Sequence, residues 1–349
     1  MAGLRAGALA LALLAAVAAG CAREAPPRHF AFESMGTAAG LELRNREPRS
    51  DSLALARVTA RFAAVETAMS AWDPNSELSR ANRAPVDSTF TLSPFVGDCL
   101  TLALELRAAS GGAFEPGAGP LMKLWGFTRR QGRLPDPDSL AALLPKLSAY
   151  AYDASSRRLT RHHAAVSLDL GGIAKGYALD LAAADLHALG LRAALIDLGG
   201  NLYCLGEAAP GEAWQVGIRD PLDRERMFAA LSLRDEAVAT SGSYERFVEI
   251  AGRRYGHIMN PATGRPAEGL LSATTVSAQA GLGDGLATAL FVLGPAAAEA
   301  LLAAQYPEVL AVLVLPGEGG RLQVRASAAL RGRLRILPAD EARCRLEFF

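Results

Sequence analysis

The sequence has no excess of charge of either sign. Lys plus Arg number 36 and Asp plus Glu also number 36 among the 349 residues, so the formal net charge is +0. A chain with this balance has no long-range field to draw it to nucleic acid or to an acidic membrane surface. Nucleic acid is therefore not an expected partner, and any phosphate must be bound by a local arrangement of groups.

Cysteine is scarce, with 4 in the chain and no CxxC spacing among them. Without that spacing, the usual thiol-rich zinc sites and redox motifs are not expected. Cys21 belongs to an N-terminal segment, and the other three, Cys99, Cys204 and Cys344, allow at most one internal disulfide. Cys99 lies in a helical pattern and Cys204 beside an apolar strand, so we expect both to be buried as small hydrophobic side chains.

The N-terminal apolar run is too short to span a bilayer. It covers 14 residues, 6–19, whereas a spanning helix needs about 20. Arg5 precedes the run, and the small residues Ala18-Ala19-Gly20 follow it, ahead of Cys21. This order is typical of a signal peptide over residues 1–20.

The small residues before Cys21 resemble a bacterial lipobox, in which the cysteine is acylated and becomes the mature N-terminus. Ordinary signal cleavage near Ala19, with an incidental cysteine, is the alternative. Several acyl chains would anchor a protein stably, whereas one would not. We expect an exported protein that is lipid-anchored to the bacterial inner membrane on its periplasmic side. Residues 21–30 would form the tether and residues 31–349 the folded domain.

Hydrophobic periodicity predicts several helices. One is indicated by apolar residues at spacings of four, three and four: Val58, Phe62, Val65 and Met69. Another is expected to be capped by Ser93, with Pro94 in its first turn and Gly111-Gly112 at its end. Residues 174–189 are also helical in pattern. Two further helices, at 286–293 and 296–304, are separated by Gly294-Pro295.

Strand patterns occur between these helices. Alternating Trp214, Val216 and Ile218 predict a half-buried strand, as does the segment at 271–279. Residues 193–197 and 309–315 read as more fully buried strands, and 165–170 as a β-like run before a helix. Because strands and helices do not alternate strictly, the expected fold class is α+β.

The segment DLGGIAKGYALD at 169–180 places a carboxylate and an ammonium on either side of a glycine turn. Glycines allow the backbone to approach a ligand closely, and free N–H groups at a helix start favour a phosphate. The segment matches neither G-x-G-x-x-G nor the P-loop ending. A simple strand-to-helix turn with a surface Lys175 remains the alternative to a phosphate site.

A second candidate lies in GLGDGLATALFVLG at 281–294. Asp284 and Thr288 are four residues apart, so on a helix they share one face. A carboxylate and a hydroxyl suit a hard cation such as Mg²⁺. The alternative is that Asp284 caps the helix and Thr288 is buried packing.

His257 is the third candidate, and 5 histidines occur in all. It lies between an aromatic-glycine step and a turn-forming cluster in RRYGHIMNPATGRPAEG at 253–269. Loops held by rigid strands are where catalytic groups concentrate. A structural role for a lone histidine remains the alternative.

Taken together, eight blocks in one order resemble the ApbE-type FAD:protein FMN transferases, also described as thiamine-biosynthesis lipoproteins. The resemblance runs from Ser34 to about Gly294. Its carriers are SMGT at 34–37, SAWDPNSELSRAN at 70–82, GGAFEPGAGPLMKLWGF at 111–127, SLDLGGIAKGYALD at 167–180, LIDLGGNLYCLG at 195–206, VATSGSYERF at 238–247, YGHIMNPATGRP at 255–266 and GDGLATAL at 283–290.

The resemblance implies a fold and an activity. The fold would be a single ApbE-like, T-fold-like α+β domain with mixed and antiparallel sheets and flanking helices. The activity would be Mg²⁺-dependent transfer of FMN from FAD to a Thr or Ser hydroxyl, with release of AMP. The acceptor would be an exported FMN-binding-domain protein of a membrane redox complex. Two alternatives remain open: an FAD pyrophosphatase that yields FMN and AMP, and a non-catalytic flavin-binding lipoprotein.

The resemblance also implies roles for individual residues. The metal would be held by the Gly172 carbonyl, Asp284 and Thr288, and His257 would be the catalytic base. The rate is expected to rise with pH through the titration of this histidine, at about 6.5 if the imidazole is unperturbed. The implied FAD contacts are Met35, Trp72, Ala113, Phe114, Glu115, Asp169, Lys175 and Ile258.

Four positions, in three segments, depart from the family's usual pattern. Glu115 and Gly117 stand in Phe-Glu-Pro-Gly, where Phe-Asp-Pro-Thr is usual. Asn260 stands where an aspartate is usual, and this loss of a carboxylate is expected to weaken a contact to His257. Alanine is common at the position of Gly172, but a backbone carbonyl is available from either residue.

Overall fold

The computed structural model describes residues 26–44, 49–127 and 132–349. The predicted signal peptide, Cys21 and the first part of the predicted tether lie outside these residues. The first strand begins at Arg28, so the sheet starts three residues before the domain boundary expected at residue 31. Within the described ranges, no helix combines the length and the apolar character needed to cross a membrane.

The helices and strands of the described residues are mixed along the chain. The helices are α1 (Arg49–Met69), α2 (Glu77–Arg83), α3 (Pro94–Ala109), α4 (Gly119–Leu124), α5 (Pro137–Leu143), α6 (Ala174–Ala188), α7 (Ala280–Leu293) and α8 (Pro295–Gln305). The strands are β1 (Arg28–Ser34), β2 (Thr37–Leu43), β3 (Thr89–Thr91), β4 (Tyr150–Asp153), β5 (Arg158–Arg161), β6 (Ala193–Leu198), β7 (Asn201–Gly206), β8 (Trp214–Arg219), β9 (Met227–Leu233), β10 (Glu236–Gly242), β11 (Phe247–Ile250), β12 (Arg253–Gly256), β13 (Met259–Asn260), β14 (Arg265–Pro266), β15 (Ser272–Ser277), β16 (Leu310–Pro316), β17 (Leu322–Ala326), β18 (Leu334–Ile336) and β19 (Cys344–Phe348).

A nine-stranded sheet organises the molecule, in the order β1-β2-β6-β7-β10-β15-β16-β17-β19. Its neighbours pair antiparallel except β17 and β19, which pair parallel. One face packs against helices in a core that includes Phe62, Leu179 and Leu290. The other face packs against the sheet β18-β9-β8, through residues such as Trp214 and Phe228. The α+β fold class expected from the sequence is confirmed.

Helices α1 and α3 form where periodicity and end signals predicted them. Val58, Phe62, Val65 and Met69 are all buried on α1. The Ser93 side chain accepts a hydrogen bond from the backbone N–H of Val96 and so caps α3. Cys99 and Cys204 are buried and unpaired, as expected, and Cys344 is also a free thiol.

Two strand expectations were wrong. Residues 165–170 form no strand, because the backbone of Leu168 bonds with the Asn82 side chain and not with a neighbouring strand. The segment at 271–279 was expected to be half-buried, yet all six residues of β15 are buried. Its central place in the sheet explains this, because Ala273 faces the helices and Val276 faces the small sheet.

Helix α7 begins at Ala280, six residues earlier than predicted. Its glycines therefore lie inside the helix, where they allow close packing. A Cβ at Gly283 would lie 2.5 Å from Ser277 Oγ, and one at Gly285 would lie 2.3 Å from Leu106 Cδ1. The glycines ahead of residue 286 are therefore part of a helix that has close neighbours on more than one side.

Gly176 on α6 sets the approach of α6 to α7. A Cβ there would lie 2.1 Å from the Ala280 carbonyl oxygen, and backbone cannot yield as a flexible side chain can. Gly176→Ala should therefore lower the free energy of unfolding by about 1–3 kcal/mol, as other overpacked cores do, in spite of alanine's higher helix propensity. Denaturant unfolding followed by circular dichroism measures this.

Gly281→Ala is the matched control, because its Cβ would meet no atom closer than 3.2 Å. Its loss of stability should be clearly smaller than that of Gly176→Ala. Equal stability of the two variants would contradict the packing role assigned to Gly176.

Candidate functional site

The turn before α6 is held by side chains on both sides. Asp169 Oδ1 accepts a hydrogen bond from the Gly171 N–H at 2.8 Å. Asn82 donates to the Leu168 carbonyl at 2.8 Å and accepts from the Leu168 N–H at 2.7 Å. The carboxylate of Asp169 thus shapes the turn itself. Asn82 was not singled out from the sequence, although it lies within the resembling block at 70–82.

Gly172 lies beside Thr288 and Phe114. A Cβ on Gly172 would lie 3.4 Å from Thr288 Oγ1 and 3.2 Å from Phe114 Cε2. Phe114 is buried, so its ring forms one wall of the turn. The structure therefore brings together Gly172 and Thr288, two residues that are more than a hundred positions apart in the chain.

Asp284 faces α6 from the middle of α7. It is 5% exposed, and its Oδ2 accepts a hydrogen bond from the Gly176 N–H at 3.0 Å. Its other carboxylate oxygen has no hydrogen-bond partner in the part of the chain that the structure describes. Because Asp284 lies four residues inside a helix that begins at Ala280, the capping alternative is excluded.

The oxygen donors of this cluster fit a hard divalent cation. Asp284 supplies a carboxylate, Thr288 a hydroxyl and Gly172 a backbone carbonyl, which are ligand types that Mg²⁺ accepts. No group of three or more His, Cys, Asp or Glu side chains suited to a metal occurs in the described ranges. The three oxygen donors of Gly172, Asp284 and Thr288 do not suit zinc, which prefers nitrogen and sulfur ligands. They suit Mg²⁺ that shares its coordination with phosphate oxygens and water.

His257 is oriented by one carbonyl. Its backbone N–H donates to the Arg246 oxygen at 3.0 Å, and its Nδ1 lies 3.1 Å from the same atom. A carbonyl oxygen only accepts hydrogen bonds, so this contact places the proton on Nδ1. The lone pair of Nε2 is then available to accept a proton from a substrate.

The environment keeps the imidazole neutral. Burial lowers the pKa of His257 to about 4, and the positive charges of Arg246 and Lys175 lower it too, while the bond to the Arg246 carbonyl opposes them. The value of about 6.5, expected for an unperturbed imidazole, therefore does not apply to His257. Burial and nearby cations both disfavour the imidazolium form.

Lys175 acts electrostatically on two other side chains of the site. Its charge acts on His257 and also on Asp197. Burial raises the pKa of Asp197, while a hydrogen bond from the Gly200 N–H and the charge of Lys175 oppose that rise. Lys175 therefore lies near both side chains, at the first turn of α6. Sequence reasoning missed Asp197 and Arg246, although both lie inside resembling blocks.

Within the described residues, the Asn260 side chain makes no hydrogen bond with His257. Its Oδ1 accepts hydrogen bonds from the N–H groups of Ala262 at 2.9 Å and Thr263 at 3.4 Å. Asparagine and aspartate both stabilise such a turn through a side-chain oxygen. The expectation that Asn260 weakens a contact to His257 is wrong, because the carbonyl of Arg246 holds the imidazole.

Glu115 is engaged within the protein. Its Oε2 accepts from Arg107 Nε at 2.5 Å, and its Oε1 accepts from the Tyr150 hydroxyl and the Gly117 N–H, each at 2.8 Å. Both carboxylate oxygens therefore support the loop that carries Ala113 and Phe114. A contact from Glu115 to FAD stays a prediction, and its carboxylate is already occupied.

The remaining predicted contacts lie around the site in different settings. Met35 occupies the β1–β2 turn with a φ of 50°, and its N–H donates to Glu66 Oε2 at 2.9 Å. Trp72 is 61% exposed, so its ring is free to stack on a planar ligand. Ile258 is buried next to His257.

A groove of about 200 Å³ borders the end of β12. Its lining residues are Ser243, Arg254, Tyr255, Gly256, Pro266, Ala267, Glu268, Gly269 and Leu270. Gly256 directly precedes His257 in the chain.

Comparison with known proteins identifies relatives of this chain. The model of the ApbE family matches residues 35–313. A FAD:protein FMN transferase of Treponema pallidum (strain Nichols) is 35% identical over 323 residues, which cover 87% of this chain and 88% of that protein.

Solved structures agree with this relationship. The flavin transferase ApbE from Vibrio cholerae is 25% identical with a TM-score of 0.77, and the match covers 88% of this chain and 100% of that one. The ApbE protein from Thermotoga maritima MSB8 is 27% identical with a TM-score of 0.80, covering 89% and 100%. The ApbE-like fold is thus confirmed, and the family match spans most of the chain, so this protein belongs to the ApbE family and is a transferase.

Proposed function

We propose that this protein is a Mg²⁺-dependent FAD:protein FMN transferase, which moves FMN from FAD to a Thr or Ser hydroxyl and releases AMP. The observation that carries the proposal is an oxygen-donor cluster beside the first turn of α6 together with an oriented imidazole on which Lys175 of that same turn acts electrostatically. The names of the relatives supply the substrates. The cluster supplies a place for a pyrophosphate, and His257 supplies a base.

The reaction is a phosphoryl substitution on FAD. The acceptor hydroxyl oxygen forms a bond to the FMN phosphorus, and the bond from that phosphorus to the bridging oxygen of the pyrophosphate breaks. His257 Nε2 takes the hydroxyl proton, and the electron pair of the broken bond leaves with AMP. Such reactions depend on positioning and electrostatics more than on covalent chemistry by the protein.

The chain's own residues divide the work. Lys175 places a positive charge next to His257, where it would attract the phosphates. Asp169 already binds the Gly171 N–H and Asp284 the Gly176 N–H. Between them, the N–H groups of Gly172 and Lys175 make no hydrogen bond to any described residue and would be available to an anion. Asp284, Thr288 and the Gly172 carbonyl would hold Mg²⁺, which neutralises charge that develops on the phosphoryl oxygens.

A direct assay distinguishes this reaction from its alternatives. The protein is incubated with FAD, Mg²⁺ and an FMN-binding-domain acceptor, and the flavin is followed by mass spectrometry. A covalent acceptor–FMN product with AMP supports the transferase. Free FMN and AMP with no adduct would identify a pyrophosphatase, and unchanged FAD would identify a flavin-binding protein.

We also propose that the acceptor belongs to a membrane redox complex and that the transferase is anchored beside it. The proposed anchor is acylated Cys21, which would hold the domain at the periplasmic side of the inner membrane. The Ala18-Ala19-Gly20-Cys21 sequence supports this proposal.

Removal of the one carboxylate in the oxygen cluster tests the metal. Asp284→Ala should abolish Mg²⁺-dependent turnover and weaken FAD binding much less, because the flavin and adenine have other contacts. Steady-state kinetics and flavin fluorescence measure the two effects. Asp98→Ala, on an exposed side chain of α3, is the control and should behave as the wild type. Full Mg²⁺-dependent turnover by Asp284→Ala would overturn the assignment.

The base is tested by its removal and by pH. His257→Ala should lower the rate about 10²–10⁴-fold, the usual contribution of general acid–base catalysis, while FAD still binds. Because the pKa of His257 is lowered to about 4 in the free protein, the wild-type kcat/KM for FAD, which reports the free enzyme, should be level through neutral pH. It should fall as the imidazole is protonated at acidic pH.

Asn260→Asp is the matched variant for this experiment. Its side chain would serve the same turn, so the pH profile should not move. A wild-type kcat/KM that rises through about 6.5, or a His257→Ala variant with wild-type turnover, would contradict the assignment.

The anchor is tested separately. Cys21→Ser should remove the acylation site, so the protein should leave the membrane fraction or remain unprocessed. Intact mass of the purified protein and fractionation of cells measure this. A mature N-terminus without acyl chains, at any position other than Cys21, would refute lipidation.

A further inference from the structure

Ser241 lies near the end of β10, next to Thr288 of the oxygen-donor cluster formed by Gly172, Asp284 and Thr288. Its Oγ is 3.1 Å from Thr288 Oγ1, and the residue is 9% exposed. Strand β10 packs against α7, so the contact joins the sheet to the helix that carries Asp284 and Thr288. Within the described residues, this is the one hydrogen bond made by the Thr288 side chain.

A bound cation would determine which of the two hydroxyls donates the hydrogen bond between Ser241 and Thr288. Thr288 Oγ1 has one hydrogen and two lone pairs. If a lone pair binds a metal, the hydrogen must point away from it and needs an acceptor. Ser241 Oγ is the acceptor that the structure places within reach. The bond would therefore run from Thr288 to Ser241 and leave the threonine lone pairs facing Gly172 and Asp284.

We propose that Ser241 is a positioning residue that orients the Thr288 hydroxyl for metal binding. The inference rests on the metal site of the proposed function and adds a residue to it. Groups that orient metal ligands typically change metal affinity by 10–100-fold when they are removed. The loss should be at the lower end of that range, because Thr288 itself remains present in a Ser241 variant.

The same strand provides a matched control. Thr240 precedes Ser241, and its Oγ1 lies 2.9 Å from Thr274 Oγ1. This is also a hydroxyl pair between elements, but successive residues of a strand point to opposite faces of the sheet. A variant of Thr240 therefore removes an equivalent hydrogen bond on the side of the sheet away from the metal cluster.

The experiment measures Mg²⁺ affinity without relying on turnover. Mg²⁺ is titrated by calorimetry into FAD-saturated protein that carries His257→Ala, so that transfer is slow. Ser241→Ala should weaken Mg²⁺ binding by about 10-fold, and Thr240→Val should leave it unchanged. Thermal melts of each variant confirm that the fold is retained.

A double-mutant cycle then shows whether Ser241 acts through Thr288. Thr288→Val should weaken Mg²⁺ binding, and adding Ser241→Ala to it should have no further effect, since coupled residues are not additive. Additive losses would overturn the positioning role, as would unchanged Mg²⁺ affinity in Ser241→Ala. Unchanged affinity in Thr288→Val would instead overturn the metal site on which the inference depends.

Discussion

The close contact between α6 and α7 determines whether the site can exist. Gly176 brings the two backbones so near that its N–H bonds with Asp284 Oδ2 at 3.0 Å. One turn further along α6, Asp180 accepts hydrogen bonds from the N–H groups of Ala280 at 2.7 Å and Gly281 at 2.8 Å. The start of α7 is thus capped by its neighbour, since its own first residues provide no side-chain cap. Burial nevertheless raises the pKa of Asp180 to about 6. These hydrogen bonds between α6 and α7 fix the positions of Asp284 and Thr288 along α7 relative to Gly172.

Electrostatics complete what this packing begins. Burial, followed by the positive charges of Arg246 and Lys175, lowers the pKa of His257 and keeps it unprotonated, and the same charges would attract a phosphate. These two effects support each other in the free protein, because a base must be neutral and a phosphate site must be positive. A bound pyrophosphate would bring negative charge and raise the pKa of His257 toward its ordinary value. The imidazole would then be a better proton acceptor with substrate present than without it.

The sequence predicted elements whose signals are local. Residues on one face of α1 and the Ser93 cap of α3 follow from spacing and end chemistry alone. The strand predicted at residues 165–170 was wrong because the polar partner of this segment, Asn82, lies far away in the chain. The start of α7 was predicted six residues too late for a related reason. Helix propensity disfavours glycine, and only tertiary packing explains the glycines in the first turns of this helix. In the site, ordered blocks identified His257 and Asp284, but no spacing rule could find the Arg246 carbonyl that sets the tautomer.

The single carboxylate of the oxygen cluster also constrains what can bind there. Asp284 alone does not balance the two charges of Mg²⁺, and Lys175 adds another positive charge nearby. A site with this surplus favours a ligand that carries its own negative charges, and a pyrophosphate diester carries one on each phosphorus. If the proposed function is right, the phosphates of FAD would supply the negative charge that the metal site lacks, and Mg²⁺ would supply positive charge that the phosphates need. Mg²⁺ and FAD should bind cooperatively, because each supplies the charge that the other lacks.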